Sequence, residues 1–206
     1  MKQIKIILGT AHLSSTPGKR SPDGKFREYA YSRKVCKAVQ EELLSRGVDC
    51  VIDYEDDDMP GLTSSQELVK RVQIVNKLAK KTDCLYVSIH VNASVKNGWD
   101  KATGFAIYTS PGETKSDILA TDIFEEAVEL LKPLGKSLRK DTSDGDPDYE
   151  ENFYVLRKTT CPAVLTENFF QNSKNDVEWL ESEEGFKTVV TYHVRGILKY
   201  LNKTLF

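Results

Sequence analysis

One apolar run at residues 85–93, with the sequence LYVSIHVNA, constrains the fold of this chain more than any other stretch. It is rich in β-branched and aromatic residues, which is typical of an internal strand in a sheet that is covered on both faces. The run ends with His90 and Asn92. Because reactive groups in open α/β sheets gather at the carboxyl ends of such strands, His90 is a candidate functional residue.

Stretches with strand and helix patterns alternate along the rest of the chain. This alternation predicts an α/β fold of three layers, in which a largely parallel (mixed) sheet has helices on both faces. The patterns predict strands at 2–9, 48–54, 85–93, 104–109 and 163–166, an extended or strand segment at 153–156, and helices at 27–46, 65–80, 116–131 and 183–201.

Size and charge narrow the class of protein. A length of 206 residues favours a single domain over 1–206 with a substantial core. The 29 basic and 31 acidic side chains nearly cancel, and no basic face is evident, so we expect no nucleic-acid partner. No run approaches the ~20 apolar residues of a membrane span. We also expect no signal peptide in this chain, and a monomer.

The four cysteines, Cys36, Cys50, Cys84 and Cys161, are scattered without a CxxC pair. This spacing argues against a zinc–thiolate site and against a disulfide framework, so we predict buried thiols. The acidic stretch at 141–151 lacks the spacing of a calcium loop and is predicted to be a surface loop, as is the acidic run at 55–58.

Four dispersed side chains could form a metal site with an acid/base beside it. His12 follows the first strand in a long loop, Glu28 lies in the first turn of a helix, and Glu167 ends a strand, as His90 does. Catalytic zinc takes three ligands of this type and leaves a position for water. The spacing by itself is weak evidence for a metal site, because two histidines and two glutamates occur in most chains of this length. Glu28 has the alternative role of an acid that stabilises a helix N-terminus. His193 lies on an apolar helix face and is predicted to be a core residue.

Several motifs occur in a characteristic order: GTAH at 9–12, FRE at 26–28, Arg71 and Asn76, VSIHVNA at 87–93, VLR at 155–157, and PAVLTE at 162–167. With these motifs in this order, the chain resembles the zinc-dependent N-acetylmuramoyl-L-alanine amidases found among bacterial cell-wall hydrolases and phage endolysins. The resemblance extends from about residue 4 to residue 201 and leaves no room for a separate wall-binding domain.

The resemblance implies a zinc-exopeptidase-like fold, Zn2+ bound by His12, Glu28 and His90, and Glu167 as the catalytic acid/base. The family's first histidine usually stands in an Asp-x-Gly-His-Gly-Gly setting, whereas Leu13 and two serines follow His12 here. The shape of the rim around the metal is therefore expected to differ from the family pattern.

The chemistry of amide hydrolysis agrees with this interpretation. Zinc polarises a carbonyl and lowers the pKa of water to about 7, and a carboxylate that is not a ligand can move the proton to the departing amine. The expected reaction cleaves the amide between the lactyl group of N-acetylmuramic acid and L-alanine, in peptidoglycan or a muropeptide.

Two alternatives remain open. The first is a zinc peptidase that acts on stem or free peptides. The second is a non-catalytic wall-binding module, which is disfavoured because all four candidate residues are intact: His12, Glu28, His90 and Glu167. Arg71 and Arg157 are expected to support loops or pair with acids. The sequence leaves localisation open among cytoplasmic synthesis, phage-type release and export with a trimmed signal.

Overall fold

The structure, a computed structural model, describes residues 4–54 and 61–205, and within these residues the strands form one six-stranded sheet. The strand order is β2-β1-β3-β6-β4-β5. Every neighbouring pair is parallel except β4 and β6, which confirms the predicted mixed, largely parallel sheet. The strands are β1 (Lys5–Thr10), β2 (Cys50–Ile52), β3 (Cys84–Asn92), β4 (Phe105–Thr109), β5 (Tyr149–Glu150) and β6 (Ala163–Phe170).

Helices cover both faces of the sheet, as predicted. Strand side chains alternate between two apolar clusters, with Ile6 and Leu8 in one and Ile7 in the other. The larger cluster includes α1, α3, α5 and α6, and the smaller one includes α2 and α4. The helices are α1 (Glu28–Ser45), α2 (Ser64–Ala79), α3 (Lys115–Leu131), α4 (Tyr154–Lys158), α5 (Lys174–Glu181) and α6 (Glu183–Leu205).

Local sequence signals mark ends of the two helices nearest the site. Gly47 follows α1 with a φ of 76°, a left-handed conformation that glycine adopts without strain. Thr63 and Gln66 form a reciprocal capping box at the start of α2, which satisfies backbone N–H groups of the first turn. The helix α1 begins at Glu28, within one residue of the predicted boundary.

Three short elements were predicted wrongly or missed. The segment predicted as extended or strand, 153–156, is the helix α4, whose Val155 and Leu156 pack in the smaller cluster. The helix α5 was not predicted. The acidic stretch 141–151 was predicted to be a surface loop throughout, but Tyr149–Glu150 pairs with β4 and Asp148 is buried. The helices α4 and α5 are shorter than the stretch over which a helical period can be recognised, and the two residues of β5 are too few to show alternation.

The cysteines and His193 lie in or beside the core. All four cysteines are free, and Cys36, Cys50 and Cys84 are buried as predicted, whereas Cys161 is only half-buried. His193 is fully buried, with its ring nitrogens 2.9 Å from Thr166 Oγ1 and 2.8 Å from the Val189 carbonyl, which confirms a core role. The predicted acidic loop at 55–58, and residues 2–3 of the first predicted strand, lie outside the described residues. In the part of the chain that is described, no helix is both long and apolar enough to cross a membrane.

Candidate metal centre

The side chains of His12, Glu28 and His90 converge at the carboxyl edge of the sheet. His12 follows β1 by two residues, Glu28 is the first residue of α1, and His90 lies near the end of β3. His90 Nδ1 is 3.2 Å from Glu28 Oε1, and His12 Nε2 is 3.6 Å from the same oxygen. Donor atoms of the three residues all lie within 4.8 Å of one another. We refer to these residues as the three-donor group.

The residues of the three-donor group fit a divalent metal ion. Glu28 is 1% exposed, and its Oε2 atom is buried without a hydrogen-bond partner among residues 4–54 and 61–205. A buried carboxylate oxygen without a partner is costly, and a cation would satisfy it. Two imidazoles and one carboxylate are also a ligand set that catalytic zinc takes. The group could therefore hold a metal ion.

The surroundings of His12 and Glu28 favour the protonation states that metal binding requires. Burial lowers the pKa of His12 to about 3 despite the opposing charge of Glu28, so the imidazole is neutral and free to act as a ligand near pH 7. Although burial opposes ionisation of Glu28, the hydrogen bond with His90 is the main influence that brings the pKa of this carboxyl below its usual value. Neutral histidine and ionised glutamate are the forms that bind metals.

Glu167 lies across from the three-donor group. It is paired with His90 in the register of β3 and β6, and it lines the same cavity as His12 and His90. Burial, with a contribution from the charge of Glu28, raises the pKa of the Glu167 carboxyl well above its usual value. Its Oε2 atom is buried without a protein partner in the described chain. This shift favours the protonated form, which can release a proton, and a cation held by the neighbouring donors would favour the ionised form, which can accept one.

The strand that carries Glu167 does not end there, contrary to the prediction. β6 continues to Phe170, and its register with β3 shifts between His90 and Asn92. Phe169 has a φ of 65°, which is unusual for a bulky residue and marks the bulge. Within this irregular stretch the His90 carbonyl accepts a hydrogen bond of 2.7 Å from the side-chain amide of Asn168.

A buried ionic network supports the loop of His12. The Arg71 guanidinium lies 2.9 Å from both Asp53 Oδ2 and Glu67 Oε1. It also donates to the His12 carbonyl at 3.4 Å. Arg71 therefore pairs with acids and supports a loop, as the sequence predicted. Arg157 is exposed on α4, and its supporting role stays a prediction.

Sequence reasoning missed three residues of the site. Ser32 follows Glu28 by one helical turn and is fully buried. Asn168 follows Glu167 directly and is also buried. Lys19 lines the cavity and comes from the long loop after β1, and its carbonyl accepts a hydrogen bond from the Glu28 N–H. Ser32 and Asn168 could have been noticed in the sequence, because each is a polar residue on the buried face of a helix or strand. The sequence offers no such signal for Lys19.

The sheet is largely parallel with helices on both faces, and a His–Glu–His group lies at its carboxyl edge. With a further carboxyl group in the same cavity, these features define an α/β protein with a site suited to a metal ion. Comparison with known proteins specifies the family. The chain belongs to the N-acetylmuramoyl-L-alanine amidase family, which it matches over residues 6–199.

Individual relatives agree with this assignment. The chain is 28% identical to the N-acetylmuramoyl-L-alanine amidase CwlM of Bacillus licheniformis, over 97% of this chain and 69% of that protein. It is 30% identical to the endolysin of Bacillus phage SPP1, over 82% of this chain and 56% of the endolysin. The fold matches the N-acetylmuramoyl-L-alanine amidase from Clostridium difficile 630 with a TM-score of 0.79 and 24% identity, over 99% of this chain and 100% of that one.

Proposed function

We propose that the protein is a zinc-dependent amidase that cleaves the bond between the lactyl group of N-acetylmuramic acid and L-alanine, in peptidoglycan or muropeptides. The observation that carries the proposal is the meeting of His12, Glu28 and His90, from three separate elements, with donor atoms within 4.8 Å of one another. Membership of the family supports the substrate class.

In this proposal the three-donor group holds the zinc ion. When bound, zinc would polarise the amide carbonyl and make water more acidic. The two histidines and Glu28 contribute a single formal negative charge, so the centre would keep a net positive charge that favours an oxyanion. Glu28 is buried and the two histidines are half-buried, which limits their contact with bulk water.

Glu167 is the proposed catalytic residue for proton transfer. It is not a member of the three-donor group, and its carboxyl group lines the cavity that would hold the scissile bond. Glu167 would accept a proton from the attacking water as the new C–O bond forms. It would then give this proton to the amide nitrogen as the C–N bond breaks, so that the leaving group departs as a neutral amine.

A Glu167→Gln variant tests the proposal, because it keeps the shape of the side chain but cannot accept the proton. We expect about one zinc per chain in both proteins by elemental analysis and a loss of about 10²- to 10⁴-fold in kcat for the variant. Glu178→Gln, which changes an exposed glutamate on α5, is the matched control and should keep full activity. Full activity of Glu167→Gln, or absence of zinc from the active wild-type protein, would contradict the proposal.

Mass spectrometry of digested peptidoglycan identifies the bond that is cut. A new N-terminal alanine on intact glycan chains is the expected product. Products cut within the stem peptide would indicate a peptidase, and no product at all would indicate a wall-binding module. We further propose that residues 1–206 act as one catalytic domain and as a monomer, which light scattering of the active protein would test.

A further inference from the structure

A single buried hydroxyl connects the segments that carry the three-donor group. Ser32 is 0% exposed and lies on α1, one helical turn after Glu28. Its Oγ atom accepts a hydrogen bond of 2.8 Å from the backbone N–H of Ala11. The same hydroxyl donates a hydrogen bond of 2.6 Å to the carbonyl of Ile89. Ala11 and Ile89 are the residues directly before His12 and His90.

These contacts replace backbone pairing where the regular ladder stops. β1 and β3 are paired in register up to Thr10 and Ile89, and the chain leaves the sheet at Ala11. A buried N–H group at this point must find another partner, and the Ser32 hydroxyl is that partner. Because a hydroxyl both donates and accepts, one side chain satisfies two backbone groups on two different segments.

The conformation of His12 makes this support necessary. His12 has a φ of 50°, in the left-handed region that residues other than glycine rarely adopt. Such a conformation persists only where surrounding contacts determine it, and here the contacts are with Ser32 through Ala11 and with Arg71 through the His12 carbonyl. A strained residue that is held on both sides is typical of a pre-organised site.

We propose that Ser32 is a positioning residue for the metal centre, because its hydroxyl fixes the segments of His12 and His90 relative to the helix that carries Glu28. The inference rests on the proposed zinc function and adds a residue to it. Ser32 would contact neither the ion nor the substrate. It sets the spacing of the donors before the metal binds, so its loss should weaken zinc binding more than it weakens the fold.

Three variants at this residue separate the hydroxyl from the packing. Ser32→Ala removes both hydrogen bonds. Ser32→Thr and Ser32→Val have nearly the same shape, so any difference between them reports the hydroxyl alone, even if Ser32→Ala does not fold. Val39→Ala, on the same helix and also 0% exposed, is the control for a general loss of core packing. Zinc affinity is measured by competition with a chromogenic chelator, and the fold by thermal unfolding of the metal-free protein.

We expect the zinc Kd to rise about 10- to 100-fold in Ser32→Ala, the range usual for groups that orient metal ligands. Ser32→Thr should bind zinc at least about tenfold more tightly than Ser32→Val, as one hydrogen-bonding group distinguishes them. Val39→Ala should lower the unfolding temperature and leave the zinc Kd unchanged. Equal zinc affinity in the Thr and Val variants, or an equal loss in Val39→Ala, would overturn the inference. A wild-type protein that binds no zinc would instead overturn the proposed function.

Discussion

Glu167 of β6 lies directly opposite His90 of β3 in the parallel register of the sheet. Residues that are paired in this way have side chains on the same face, so the pairing holds the two groups at one cavity without any contribution from loops. A shift of one residue in this register would carry Glu167 to the other face of the sheet, among the apolar side chains of the larger cluster.

Shortening Glu167 should therefore reduce the rate more than it affects the metal. A Glu167→Asp variant keeps a carboxyl group but withdraws it by roughly the length of one C–C bond, and misplacement on the order of 1 Å can cost about 10²-fold in rate. We expect kcat to fall by about that factor while zinc content stays at the wild-type level. Glu178→Asp is the control, and a nearly normal kcat in the Glu167→Asp variant would contradict the proton-transfer role.

Removal of Arg71 should destabilise the protein strongly, because it would leave two buried acids without their cation. Arg71 is 2% exposed, and its removal leaves the carboxylates of Asp53 and Glu67 buried without a cation. An Arg71→Met substitution is expected to lower the free energy of unfolding by about 3–5 kcal/mol in urea denaturation. The exposed pair of Arg46 and Glu42 offers a matched control, because Arg46→Met should cost at most about 1 kcal/mol. Similar losses in the two variants would contradict this account.

His193 should make the protein less stable in mild acid. Burial lowers the pKa of this imidazole to about 4, from an ordinary value of 6.5. Between these values the unfolded chain binds the proton and the folded chain does not, so stability falls as the pH drops from 6.5 towards 4. The slope from one proton is at most about 1.4 kcal/mol per pH unit. Urea unfolding at a series of pH values should show a shallower acid slope for His193→Gln than for the wild type, and identical slopes would count against this role.

Asp148 should make the protein less stable as the pH rises towards neutral, which is opposite in direction to the effect of His193. Burial is the main cause that raises the pKa of this carboxyl to about 7, and Thr109 donates a hydrogen bond of 2.5 Å to its Oδ2 atom. The unfolded chain loses the proton first, so this group's contribution to stability decreases as the pH rises from about 4 through 7.

An Asp148→Asn variant tests this account, because the amide oxygen can still accept from Thr109 and no longer titrates. The free energy of unfolding of the variant should exceed that of the wild type at about pH 8 and approach it at about pH 5. Asp144→Asn, an exposed change in the same segment, should follow the wild type at both pH values. A constant difference between Asp148→Asn and the wild type across this range would refute the assignment.

Much of the fold follows from local sequence. The apolar run at 85–93 forms β3, and the four-residue spacing of Tyr31, Val35, Val39 and Leu43 forms the buried face of α1. The spacing of apolar residues indicates which side of a helix or strand is buried, and capping residues indicate where a helix starts. Both can be recognised without knowing which element packs against it. The order of the motifs also identified the members of the three-donor group and Glu167 as candidates.

The tertiary structure alone decided how these pieces meet. The insertion of β6 between β3 and β4, the antiparallel direction of β4 and the bulge at Phe169 depend on hydrogen bonds between residues far apart in sequence. The same is true of Ser32, whose two partners lie 21 and 57 residues away along the chain. The sequence by itself determined which side chains could bind a metal and on which elements they lie. Their distances were decided by strand register and by buried polar contacts, because local patterns record burial and period but not the partner across the sheet.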